Sequence, residues 1–277
     1  MKTGWENLLT LLPKQTVREL ETSVWENLKE LRFRVGSGVE LNYGDRQSYL
    51  TVPVSKEDIG FILNAASRFS PWQAETMAMG YLTTKGGHRI GICGEAIVHK
   101  DSVKGIRNPD ALCIRLARDL ENIGHRFRSL RHSTLILGPP CSGKTTLLRD
   151  IARVLAEEKT VAVVDERDEL FPEGFRRGKR MDVLRLCPKA EGIDMVLRTM
   201  GPEWICVDEI TREEDTQAVL RASNCGIHLL ASAHAFDLAD LQKRFIYRKI
   251  LEAGVFDNIV VIQKDNRYMW ERKEPWV

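Results

Sequence analysis

The loop at residues 138–145 narrows the folds open to this chain more than any other segment. It reads Gly-Pro-Pro-Cys-Ser-Gly-Lys-Thr and matches the phosphate-binding pattern G-x-x-x-x-G-K-[ST] at every position. The loop stands between an apolar run at 134–138 and a helical stretch at 145–157, which is the strand–loop–helix setting that the pattern requires. Its glycines let backbone N–H groups face phosphate oxygens, and the helix N-terminus attracts the anion. The sequence therefore predicts a nucleotide phosphate site.

Two side chains of this loop have specific expected roles. Lys144 is expected to reach the β- and γ-phosphates and to act in catalysis, and the Thr145 hydroxyl to ligate Mg²⁺. ATP and Mg²⁺ are therefore the expected cofactors. The other residues expected to contact the nucleotide are Gly138, Pro139, Pro140, Cys141, Ser142, Gly143 and Thr146.

The chain around this loop predicts an α/β fold. Near-continuous apolar runs at 161–165, 204–208 and 228–233 are typical of strands buried on both faces of a mostly parallel sheet. The segments 259–264 and 268–272 favour a closing hairpin. We predict a RecA-like P-loop NTPase core with a mostly parallel sheet over residues 121–277.

Residues 1–120 have a different texture, with short segments separated by glycine. Hairpins are predicted at 31–35 with 39–43 and at 81–84 with 89–93, and a helix at 56–69. These elements predict a smaller α+β N-terminal domain with antiparallel strands. A helix over 119–131 is expected to join the two halves.

Composition limits the classes of function. Hydrophobic residues make up 43% and charged residues 29% of the chain, and the formal net charge is +2. This balance is typical of a soluble globular protein and excludes nucleic-acid binding through overall basicity. No run reaches the roughly 18 apolar residues of a membrane helix, and the six scattered cysteines favour reduced thiols. We expect a cytoplasmic protein.

Carboxylates end two of the predicted strands. Asp208 is expected to hold Mg²⁺ through water and Glu209 to activate the attacking water, although paired acids at a strand end can also be a solvated edge or a helix cap. Glu166, and with it Glu169, follows the strand at 161–165. Carboxyl ends of parallel strands meet at the ligand crevice, so Glu166 is a further catalytic candidate, with a solvated charge run as the alternative.

His234 ends another predicted strand. A histidine there can hydrogen-bond the γ-phosphate and respond to hydrolysis, while a lone histidine is more often a satisfied core or surface residue. We include His234 among the catalytic candidates.

Several segments carry a family resemblance. Residues 197–210 and 226–234, with an acidic box at 165–169, resemble the secretion-type (type II/IV) P-loop ATPases. Asp208 stands where those ATPases usually have glycine and Thr211 where they have arginine, and both differences fit the sporulation branch. Residues 80–94 and 114–118 match that branch as well. The chain thus resembles the stage III sporulation protein AA family over nearly its whole length.

The resemblance implies a hexameric Mg-ATPase that powers assembly of, or transport through, the mother cell–forespore channel. Its partners would be other copies of the chain and a small membrane protein of that channel, which would associate it peripherally with a membrane. Relatives complete the site with an N-terminal arginine, often from a neighbouring subunit. Arg115, with Arg89 and Arg118 as alternatives, is the candidate here, and a surface ion pair is the other reading.

The basic segments 176–180 and 126–131 leave room for a nucleic-acid-directed ATPase. No aromatic ladder accompanies either segment, and a charge run is more often a solvated face, so no nucleic acid is expected. The segment 176–180 is instead a candidate patch for docking the membrane partner. A nucleotide-gated scaffold that barely hydrolyses ATP is a third reading, against which the presence of Glu209 argues.

Overall fold

A computed structural model describes residues 5–21, 27–67, 77, 80–100, 102–140, 142–263 and 268–272. The chain divides into two compact units. The first comprises Met1–Arg118 with Glu173–Phe175, and the second Asp119–Pro172 with Arg176–Val277.

The first unit contains a six-stranded antiparallel sheet in the order β3-β2-β1-β6-β5-β4. Its strands are β1 (Glu30–Arg34), β2 (Gly38–Asn42), β3 (Gln47–Pro53), β4 (Tyr81–Thr83), β5 (Arg89–His99) and β6 (Ser102–Arg115). Its helices are α1 (Trp5–Leu9), α2 (Lys14–Glu21) and α3 (Lys56–Ser67). Both predicted hairpins are confirmed as β1–β2 and β4–β5.

Helix α3 packs on this sheet through one stripe. Ile59, Ile62, Leu63 and Ala66 are buried there and join the same core as Phe33 of β1. The spacing of three and four residues places these side chains on one helix face, as the sequence predicts.

Strand β5 is longer than the predicted 89–93, and strand β6 was not predicted. β1 pairs with residues 111–115 of β6, and β4 pairs with residues 89–91 of β5. Beyond these neighbours, and within the described residues, the two strands pair only with each other and form a two-stranded ribbon, residues 94–99 with 102–109. Residues 93–99 are all exposed, and Val98 and Val103 face each other across the ribbon at 61% exposure each.

The second unit contains a seven-stranded sheet in the order β13-β12-β7-β11-β10-β8-β9, in which only the β12–β13 pair is antiparallel. Its strands are β7 (Thr134–Gly138), β8 (Val161–Asp165), β9 (Met181–Arg185), β10 (Trp204–Glu209), β11 (His228–His234), β12 (Asn258–Ile262) and β13 (Tyr268–Arg272). The predicted mostly parallel sheet and closing hairpin are confirmed.

The helices of this unit are α4 (Lys144–Leu155), α5 (Lys189–Thr199), α6 (Glu213–Asn224), α7 (Leu238–Gln242) and α8 (Phe245–Glu252). Alternate strand residues face two separate hydrophobic cores. Val164 and Val207 belong to the core that contains Ile193 of α5, whereas Val163 and Cys206 belong to the one that contains Leu148 of α4. Burial on both faces explains why these strands read as unbroken apolar runs. Among the described residues, no helix has the length and apolar character needed to cross a membrane.

The predicted helix over 119–131 is wrong. Within it only His125–Phe127 is helical, as one 3₁₀ turn, and Asn122 has a left-handed backbone with φ of 69°. The Gly124 N–H donates to the buried Asp150 carboxylate at 2.6 Å, and a Cβ at Gly124 would lie 2.6 Å from the Ile151 nitrogen. This segment is therefore held closely against α4, and that contact replaces the hydrogen bonds of a helix.

Candidate nucleotide site

The phosphate-type loop joins β7 to α4 as predicted. Gly143, which precedes α4, has a left-handed backbone with φ of 88°, a conformation that glycine adopts without strain. A Cβ at Gly138 would lie 2.5 Å from the Ser142 hydroxyl, so the loop closes tightly on itself at this point. Cys141, one of the predicted contact residues, lies outside the described residues.

Lys144 occupies the interior of this loop. Its side chain is buried, and its ammonium donates to the carbonyls of Gly138 at 2.9 Å and Pro139 at 2.8 Å. The nearby Ser142 hydroxyl is buried without a hydrogen-bond partner among the described residues. An ammonium and a hydroxyl directed into a loop at a helix N-terminus fit a phosphate anion. Thr145 and Thr146 follow in the first turn of α4 and are half-buried.

A chain of polar contacts links Lys144 to the end of β10. Lys144 Nζ lies 2.8 Å from His234 Nδ1, and His234 Nε2 lies 3.1 Å from a carboxylate oxygen of Glu209. Because a charged Lys144 can only donate, His234 accepts at Nδ1 and carries its proton on Nε2 toward Glu209. The order β7-β11-β10 in the sheet brings the three residues together. All three are predicted site residues, but their mutual contact was not predicted.

A second cluster surrounds Lys189, the first residue of α5. Its ammonium forms an ion pair with Asp208 at 2.6 Å and donates to the Glu209 carbonyl at 2.6 Å and to the Glu166 carboxylate at 3.5 Å. Burial raises the pKa of Asp208, and the Lys189 charge counteracts part of that rise. Arg212 lies 3.8 Å from Glu166 on the solvent side. Neither Lys189 nor Arg212 was among the predicted site residues.

In the acidic box at 165–169, Asp165 stabilises the local fold. Asp165 is fully buried and accepts hydrogen bonds from the backbone N–H groups of Glu169, Leu170 and Phe171 at 2.8–2.9 Å. Arg149 of α4 binds the carbonyls of Glu169 and Leu170 from the other side, and burial lowers its pKa to about 10. Glu169 thus contributes its main chain to this loop, while Glu166 reaches the Lys189 cluster.

The candidate arginines belong to the first unit. Arg115, the last residue of β6, pairs with Glu30 at 3.3 Å and keeps a side chain that is 69% exposed. Arg89 lies over the Tyr81 ring at 4.4 Å, and Arg118 donates to the Leu28 carbonyl.

Three basic residues of the segment 176–180 form ion pairs while their side chains stay exposed. Arg176 pairs with Glu121 at 2.6 Å, Lys179 with Glu157 at 4.0 Å and Arg180 with Glu203 at 3.9 Å. A Cβ at Gly178 would lie 2.6 Å from the Ala156 Cβ and from a main-chain oxygen of α4, so this glycine permits close packing and not a flexible contact. The docking role of this segment and the nucleic-acid alternative both stay predictions.

Comparison with known proteins agrees with this architecture. The solved structure of the pilus retraction motor PilT with bound ADP superimposes with a TM-score of 0.67 at 13% identity, covering 94% of this chain and 82% of that chain. The Legionella pneumophila ATPase DotB gives a TM-score of 0.61 at 16% identity, covering 94% and 80%. At these identities the likeness establishes the fold, and the predicted RecA-like class is confirmed.

Sequence comparison gives the family. A family model described as "Sporulation stage III, protein AA" matches residues 4–269. Stage III sporulation protein AA of Bacillus subtilis (strain 168) is 36% identical over 269 residues, covering 91% of this chain and 87% of that protein. The chain therefore belongs to the stage III sporulation protein AA family.

Proposed function

We propose that this chain is a Mg²⁺-dependent ATPase that works as a hexameric ring during sporulation. The contact chain from Lys144 through His234 to Glu209 carries the proposal. It joins a buried cation in a phosphate-type loop to a carboxylate that can accept a proton. Few structural roles would require a polar relay between those two groups at the carboxyl edge of a parallel sheet, where ligands bind.

Each residue of the relay has a task in hydrolysis. Lys144 exchanges the Gly138 and Pro139 carbonyls for phosphate oxygens of ATP and stabilises charge on the transferred group. Glu209 accepts a proton from the attacking water, whose oxygen bonds to the γ-phosphorus as the bond to the bridging oxygen of ADP breaks. When Lys144 turns to the phosphates, His234 Nδ1 loses its partner while Nε2 still faces Glu209. His234 thereby links the binding of ATP in the phosphate-type loop to the hydrogen bonding of the Glu209 carboxylate.

The residues present also suit a magnesium ion beside the nucleotide. When bound, Mg²⁺ neutralises charge on the β- and γ-phosphates. Thr145, in the first turn of α4, offers a hydroxyl ligand, and Asp208 at the end of β10 offers a carboxylate that acts through water.

Assembly and biological role follow from the family. In the proposed ring, Arg115 reaches the nucleotide of a neighbouring copy, for which its exposed side chain is suited. ATP turnover would power assembly of, or transport through, the mother cell–forespore channel. The chain would reach the membrane by binding a cytosolic segment of a small channel protein.

The chemistry is tested by ATPase assays on size-separated protein. Lys144→Ala should abolish hydrolysis, and Glu209→Gln should keep ATP bound while turnover falls by at least about a hundredfold. Lys179→Ala, whose side chain is 82% exposed, is the matched control and should behave like the wild type. Near wild-type turnover in Lys144→Ala would refute the site.

The biological role is tested by cell fractionation. The chain should sediment with membranes when the channel proteins are present and stay in the supernatant without them. If it stays in the supernatant in both cases, and spores form normally in a Lys144→Ala strain, the channel role is wrong even if the ATPase activity is real.

A further inference from the structure

Lys189 is an unusual lysine. It is the first residue of α5, where the helix dipole disfavours a positive charge, and its side chain is only 2% exposed, where an unpaired charge is costly. Its ammonium donates to the Glu209 carbonyl and to Glu166 Oε2 and forms an ion pair with Asp208 Oδ1. A lysine that is both buried and at a helix N-terminus is unfavourable on two counts, which indicates that its contacts serve a function.

The acceptors lie where the sheet itself is irregular. The register of β10 against β11 shifts between Cys206 and Glu209, so the regular ladder does not continue unchanged to the strand end. Such irregularities re-aim side chains and are frequent beside active sites. Lys189 contacts the side chain of Asp208, which lies within the shifted segment, and the main chain of Glu209, which ends it.

We propose that Lys189 is a positioning residue of the hydrolysis site. Its ammonium holds the end of β10, and with it Glu166 after β8, so that the Glu209 carboxylate stays 3.1 Å from His234. It also offsets part of the negative charge of two neighbouring carboxylates, those of Asp208 and Glu166. This inference rests on the proposed ATPase function, and the test below separates the two.

The test removes the buried pair as a unit. Lys189→Met alone would leave the Asp208 carboxylate buried without a cation, so the main variant is Lys189→Met with Asp208→Asn, which preserves net charge. The matched control is Lys249→Met with Glu213→Gln, an ion pair with the same 2.6 Å separation but with side chains 41% and 40% exposed. Asp208→Asn alone shows the contribution of that carboxylate.

Steady-state kinetics and binding of a fluorescent ADP analogue are measured on all variants. In the buried double variant we expect KM for ATP and ADP affinity within about threefold of those of Asp208→Asn alone, because both variants lack the same carboxylate. We expect kcat to fall to about one tenth or less of that of Asp208→Asn alone, since Lys189 also holds the Glu209 carbonyl. The control should keep wild-type kcat. Equal kcat in the double variant and in Asp208→Asn would overturn the proposal.

Hydrogen–deuterium exchange gives a readout that does not depend on activity. Amides 207–210 should exchange faster in the buried double variant and at the wild-type rate in the control. Unchanged exchange would show that Lys189 does not hold the strand end. If the wild type binds ADP but hydrolyses no ATP, the proposed function fails, while the exchange result still decides whether Lys189 positions β10.

Discussion

Asp165 allows a sharp test of whether the acidic box after β8 serves stability or chemistry. Its carboxylate accepts three backbone N–H groups, two of them from the fully buried residues Leu170 and Phe171. Asp165→Asn keeps the shape of the side chain but replaces one oxygen with an NH₂ group. That group cannot accept a hydrogen bond and faces at least one N–H donor.

The cost follows from these three bonds. One N–H loses its acceptor, at about 1–3 kcal/mol for a buried donor, and the remaining bonds to a charged oxygen become neutral ones, weaker by roughly 0.5–1 kcal/mol each. The free energy of unfolding should therefore fall by about 2–5 kcal/mol. For a unit of this size, that corresponds to a decrease in Tm of roughly 4–20 °C.

Thermal and urea unfolding followed by circular dichroism measure this loss. The control is Asp182→Asn on the neighbouring strand β9, because Asp182 is exposed and pairs in register with Ala162; it should change Tm by less than about 2 °C. KM and kcat of folded Asp165→Asn should stay near wild type. Wild-type stability with lost turnover would refute the structural role and make Asp165 a catalytic group.

Other perturbations test separate parts of the structure. Gly178→Ala should cost about 1–3 kcal/mol of unfolding free energy by overpacking against α4, whereas Gly60→Ala, where a Cβ meets nothing within 4 Å, should be neutral or stabilising in urea titrations. Burial and the nearby His132 lower the pKa of His228, so protonation favours the unfolded state, and stability should fall as pH decreases below about 6.5. His228→Gln should lose less Tm between pH 7.5 and 5.5, and an equal loss would contradict this origin. Arg115→Ala should lower kcat more than ATP affinity, and mixed rings with Lys144→Ala subunits should regain activity; rings shown to be mixed that stay inactive would exclude an arginine acting between subunits.

The buried parts of the fold could be read from the sequence because burial imposes a pattern. Strands covered on both faces appear as unbroken apolar runs, and α3 shows its inner stripe at helical spacing. β9 was not predicted because it is an edge strand in which only Met181 is buried. Its sequence therefore mixes polar and apolar residues without the alternation typical of a strand. The segment 119–131 was misread because its conformation depends on Asp150, a contact that local sequence cannot reveal.

The candidate site shows the same division. The loop residues were predictable because phosphate binding requires their specific spacing in the sequence. The carboxylates were predictable because they stand at the ends of apolar runs. The contact between His234 and Lys144 depends on strand order, which no local pattern encodes. Lys189 left one usable signal, a positive charge directly after Pro188 at a helix start, where the dipole opposes it.

The ribbon formed by β5 and β6 divides each of these strands into two regimes of local stability. Residues 89–91 and 111–115 lie inside a six-stranded sheet, whereas the distal pairs, such as Val98 with Val103, have no third strand beside them in the described part of the chain. An isolated pair of strands is only marginally stable in water, so the distal part can open while the sheet stays intact. A label placed in the distal part of the ribbon should therefore report on local opening of the two strands. A short insertion there should be tolerated without unfolding of the first unit.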